Sequence, residues 1–131
     1  MSRSDGRRGV VDIVVEGADL VITPRGWWGF LSLRRRIRVP SAAILSADVS
    51  ADPTAEVPVR WRSGGTGTLM IRAGFFRGAG TRSWWCYRYG RSAVVIELEL
   101  SRLQALVVMT DDDQATVEML RRVNGAALSD H

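Results

Sequence analysis

Residues 93–123 read AVVIELELSRLQALVVMTDDDQATVEMLRRV, and the hydrophobic rhythm changes in the middle of that stretch. Up to Met109 the period is two: Val94, Ile96, Leu98 and Leu100 share one face, Glu97 and Glu99 share the other, and Leu103 to Met109 follows after a short link. Half-buried strands carry that pattern. After Thr110 the period becomes helical. Asp111 with Gln114 three residues on makes a capping box, and Thr116, Met119, Leu120 and Val123 recur at helix spacing. Arg121 and Arg122 suit the negative end of the helix dipole, and Gly125 follows as a C-terminal cap. These signals predict one helix over 111–124, docked by Met119, Leu120 and Val123. Its single apolar stripe must cover something apolar, and the strand layer before it is the available surface.

Moving toward the N-terminus, the same alternation recurs. Arg82 to Tyr89 is a strand with Trp85, Tyr87 and Tyr89 on one face and Arg82, Trp84, Cys86 and Arg88 on the other. Gly78 to Gly80 turns the chain, and Thr68 to Phe75 forms the strand before it. Pro53 to Gly67 reads as a long loop with the run Gly64, Gly65, Thr66, Gly67 as a flexible connection, and Val59 to Arg62 as a brief extended piece. Leu45, Ala47 and Val49 line one further strand, and Arg36 to Val39 forms another, ended by Pro40. Val11, Ile13 and Val15 share a face of the first strand, which Gly17 and Ala18 turn into Leu20 to Thr23 as a hairpin. About seven or eight closely spaced strands imply an antiparallel sandwich or barrel. The fold class expected is therefore mainly β with one C-terminal α-helix.

The 131 residues are expected to form a flexible N-terminus at 1–9, a single domain at 10–125 and a tail at 126–131. A chain of this length buries roughly 65 to 70% of its unfolded surface, enough for a core without metal or disulfide. Cys86 is the only cysteine and His131 the only histidine, so intrachain disulfides and Cys/His zinc sites are excluded. Nothing in the sequence calls for a cofactor. The basic start and the acid-broken apolar run after it do not read as a signal peptide, and a cytoplasmic location is expected.

The charge is sorted into blocks. Arg25, Arg34, Arg35, Arg36 and Arg38 occupy a stretch between Asp19 and Asp48 that holds no acid; seven arginines face only Glu56 between Pro53 and Ile96; and seven acids outnumber three arginines from Glu97 onward. A polarised protein of this kind presents a surface to something anionic.

Several stretches together resemble the bacterial pleckstrin-homology-like domains, in particular a short single-domain group. They are Gly26 and Trp27; the run Arg34, Arg35, Arg36, Ile37, Arg38, Val39, Pro40; Gly65 and Thr66; Ala93 to Leu98; and Leu106, Val107, Val108 leading to the helix start at Asp111. The resemblance spans most of the chain and implies a seven-stranded, strongly bent sandwich or barrel with one end plugged by the helix. Gly67 stands where the family pattern has proline, and Cys86 also departs from it. Eukaryotic members that hold phosphoinositides place basic residues around the first hairpin, whereas this one reads Glu16, Gly17, Ala18, Asp19. No lipid-binding residue carries over.

Arg34, Arg36 and Arg38 share one strand parity, which sets them at steps of about 6.5 to 7 Å as a candidate anion-binding surface. The competing reading is a solvated strand face that discourages edge pairing. Trp27, Trp28 and Phe30, on a glycine-flanked loop just before, are candidate interface aromatics, or else a lid folded back over the core. Asp111, Asp112 and Asp113 read as helix capping rather than a metal cluster, and Cys86 as a small buried apolar group. Without a general base, metal ligands or paired carboxylates, catalysis is the least favoured class. The leading expectation is a non-catalytic binding or assembly module with a protein partner. The alternatives are a peripheral binder of anionic membrane lipid through the arginine strand, and a structural homo-oligomer subunit; nucleic acid is a weaker candidate.

Overall fold

A computed structural model describes residues 10–26, 36–57, 61–67, 71–78, 80–88 and 91–129. In chain order the elements are β1 (Val11–Glu16), β2 (Asp19–Pro24), β3 (Ile37–Pro40), a 3-10 turn (Ser41–Ala43), β4 (Ile44–Ser50), the short α1 (Pro53–Glu56), β5 (Trp61–Gly67), β6 (Ile71–Gly78), β7 (Thr81–Arg88), β8 (Ala93–Leu98), β9 (Ala105–Val108) and the long α2 (Asp113–Ser129). The protein is mainly β with one long C-terminal helix, as the change of period at Thr110 predicts.

The strands form two sheets, β1-β2-β3 and β4-β8-β9-β7-β6-β5. Every pairing is antiparallel except β7 with β9, which is parallel. The sheets meet at a corner where the Val10 N–H donates to the Met109 carbonyl at 2.9 Å. Among the described residues there are thus nine strands, against the seven implied by the resemblance, and they do not close into a barrel.

Two sequence expectations are corrected here. The supposed loop over 53–67 contains α1 and then β5, and the glycine run lies within β5, where Gly65 pairs with Gly74 and Thr66 with Ala73. Ladder pairing along β6 overrides the poor strand propensity of glycine, and a register shift between Arg62 and Gly64 absorbs the irregularity. The helix begins one residue later than the capping box suggests and runs past Gly125 to Ser129. Ala126, Ala127 and Leu128 are strong helix formers that outweigh the cost of about 1 kcal/mol for one internal glycine.

Burial explains why strict alternation fails in the centre. Ser83 through Tyr87 of β7 and Ala93 through Ile96 of β8 are all buried, so both faces of these strands are covered. Trp84, Trp85 and Cys86 expose nothing. Their side chains belong to one continuous core with Leu20, Ile22, Ile96, Leu106 and Leu120. Helix α2 packs on β4, the 3-10 turn and β8. Val117 and Leu120 are its buried contacts, Met119 is partly buried against the core, and Val123 is half-buried. Burying one such aliphatic side chain contributes about 1.5 to 3 kcal/mol. Among the described residues no helix is long and apolar enough to cross a membrane.

Candidate functional site

The β6–β7 hairpin turns between Gly78 and Thr81, with Gly80 at φ +78°, a conformation that glycine adopts without strain. That tight turn brings Arg77 and Arg82 directly opposite each other. On the same hairpin face Phe75 stands opposite Trp84. Across from the hairpin lies β3, and the link between β8 and β9 closes the third side. Together they bound a groove of about 590 Å³. Arg36 and Arg38 come from the β3 side, Arg77 and Arg82 from the hairpin, and Arg102 from the link; Ile37, Val39, Phe75, Phe76, Leu100 and Leu103 supply apolar lining. No carboxylate lines it among the described residues.

Gln104 holds the link in place. Its side-chain Oε1 accepts the Arg82 backbone N–H at 2.8 Å, and its own backbone N–H donates to the Arg82 carbonyl at 2.9 Å. Its Nε2 donates to the carbonyls of Leu100 at 2.8 Å and Ser101 at 3.1 Å. One side chain therefore fixes the loop that carries Leu100, Arg102 and Leu103 to the base of Arg82.

The arginines of this groove differ in what they already hold. Arg38 donates to Asp19 at 3.0 Å and to Glu16 at 2.9 Å. Those hydrogen bonds, Asp19 foremost, raise its pKa above the ordinary guanidinium value. Among the described residues no acid pairs with Arg36, Arg77, Arg82 or Arg102, all of which are exposed. Of the anion-surface candidates from the sequence, Arg36 precedes β3 and Arg38 lies within it, while Arg34 lies outside the described residues. Trp27, Trp28 and Phe30 lie outside them as well. Trp84, Trp85 and Tyr87 are buried in the core and do not line the groove. Sequence reading missed Arg77 as the residue opposite Arg82, because a turn over 78–80 would set Arg77 against Thr81, whereas Gly78 itself pairs with Thr81 and shifts the register by one. Gln104 left no comparable local signal.

The acidic corner at the start of α2 has a different character. Asp112 accepts the Ala115 N–H at 3.0 Å and so caps the helix, in place of the box expected at Asp111. Asp113 accepts from the Thr110 backbone N–H, the Thr110 hydroxyl and the Ser92 hydroxyl. Asp111 takes both arms of the Arg25 guanidinium at 2.9 Å, while Arg25 also donates to Asp12. These bonds, that to Asp111 first, raise the Arg25 pKa. The three consecutive aspartates serve three separate structural contacts. Among the described residues no group of three or more Asp, Glu, His or Cys side chains converges as a metal cage.

Comparison with protein-family models, with curated proteins and with solved structures returns no match.

Proposed function

We propose that the protein is a non-catalytic binding module of the pleckstrin-homology-like kind that its sequence resembles, and that it receives an acidic, partly apolar segment of a protein partner in the groove between β3 and the β6–β7 hairpin. The observation that carries this reading is the set of four arginines, Arg36, Arg77, Arg82 and Arg102, that have no acidic partner among the described residues and stand around an apolar floor. Charged rims attract and orient a partner, while apolar contact supplies the part of the affinity that salt does not screen. A polyanion with no apolar side chains would leave the partly buried Phe75 and Leu100 without an apolar contact from the ligand.

The test is a titration with a ten-residue peptide of alternating glutamate and leucine, at low and physiological salt. Binding weakened by salt and by Arg36→Ser or Arg102→Ser supports the groove. A second reading, attachment to an anionic membrane surface, is favoured by the same arginines. Sedimentation of the protein with vesicles containing anionic lipid, together with absence of peptide binding, would replace the first reading by the second.

A further inference from the structure

Residues directly opposite in an antiparallel pair lie close enough that like charges there repel. The protein contains two such pairs beside hairpin turns. In the first hairpin Glu16 faces Asp19, and Arg38 reaches across to bond both carboxylates, which removes the repulsion. In the β6–β7 hairpin Arg77 faces Arg82, and among the described residues no acid reaches either one. Arg102 lines the same groove, also without an acidic partner, and Gln104 braces its loop against the Arg82 backbone. Three positive groups thus line one groove on a braced frame, and among the described residues no acid balances them.

We infer that Arg77, Arg82 and Arg102 form an anion subsite of the groove, which takes the dianionic phosphoryl group of a phosphorylated side chain on the partner segment. The inference rests on the groove reading above. Guanidinium groups bond phosphate oxygens in pairs of parallel hydrogen bonds, and a phosphoryl group near pH 7 carries about −1.5 to −2 charges with three acceptor oxygens. A carboxylate brings one charge and two oxygens, too little for this cluster. Phe75 and Leu100, partly buried on the same groove, receive the apolar residues flanking the modified side chain.

The test uses a hexapeptide with one phosphoserine flanked by leucines, the same peptide with serine, and the same peptide with glutamate, each titrated calorimetrically at fixed ionic strength. The phosphoserine form should bind at least about tenfold more tightly than the glutamate form, and Arg82→Ser should remove that advantage. Arg122→Ser, which deletes an exposed arginine outside the groove, should change affinity less than about twofold. Arg82→Lys keeps the charge without the fork and should recover only part of the binding. Equal binding of the phosphoserine and glutamate forms overturns the subsite but leaves the groove standing. Inorganic phosphate binding as tightly as the phosphopeptide, or phosphatidic acid vesicles competing it off through the same arginines, overturns the peptide as the source. Failure of every probe overturns both readings.

Discussion

The two hairpins answer the same electrostatic question in opposite ways. Beside the β1–β2 turn, Glu16 and Asp19 face each other and Arg38 neutralises both; beside the β6–β7 turn, Arg77 and Arg82 face each other and stay uncompensated. Both pairs are set by tight turns, so the repulsion is built into the register in each case. The contrast teaches that an arginine's role here follows from what stands across from it. Arg38 lies in the run that drew attention in the sequence, yet two acids already occupy it. Arg77 and Arg82 lie in no run, yet among the described residues no acid occupies them. The Arg25 clamp follows the pattern of the first hairpin, joining Asp12 of β1 to Asp111 at the entry to α2.

The comparison presumes a rigid scaffold that fixes both registers, and the most severe way to break it is through the helix. Leu120 has no exposed surface. Leu120→Asp should abolish cooperative unfolding, since an unpaired buried charge costs several kcal/mol against a total stability of about 5 to 15. A circular-dichroism melt matching the native one would remove α2 from the core.

A smaller effect is expected at Arg25. Arg25→Ala leaves Asp12 and Asp111 without their shared counterion and should cost about 1 kcal/mol, lowering the melting temperature by about 3 to 6 °C. From neutral pH up to its ordinary value the raised guanidinium contributes fully, and it loses that contribution only as pH rises through the folded value. Between about pH 6 and 9 the difference between native and variant melting temperatures should therefore stay constant.

The hairpins themselves should respond with opposite signs. Arg38→Ala restores the repulsion between Glu16 and Asp19 and should lower the melting temperature by about 1 to 4 °C at low salt. Arg82→Ser relieves the repulsion with Arg77 and should raise it by a similar amount in the absence of any anion. The smallest signal sharpens the point: in molar salt, where screening acts within about 3 Å, both shifts should shrink toward zero. A drop in stability for Arg82→Ser would mean that Arg82 supports the fold and is not held ready for a ligand.

The sequence by itself determined the elements whose cause is local. Alternation over 93–100 marks a strand because side chains on a strand alternate faces, and the spacing of Met119, Leu120 and Val123 marks a helix because neighbours on a helix face recur every three or four residues. The turn at Gly17–Ala18 was legible from its glycine, and the second hairpin turn was too, though one residue shorter than 78–80 because Gly78 pairs with Thr81. The tertiary structure alone decided what depends on residues far apart in the chain. Ladder bonds to β6 made the glycine run a strand, the parallel pairing with β9 and the antiparallel pairing with β6 set β7 inside the larger sheet, and Gln104 tied the link that carries Arg102 to the Arg82 backbone. It also decided which arginines are paired, because Arg25 meets Asp111 across 86 positions of sequence while Arg77 and Arg82, five apart, stand opposite each other with no acidic partner among the described residues. Charge acts through space and composition records only its amount, so the groove emerged only once the chain was folded.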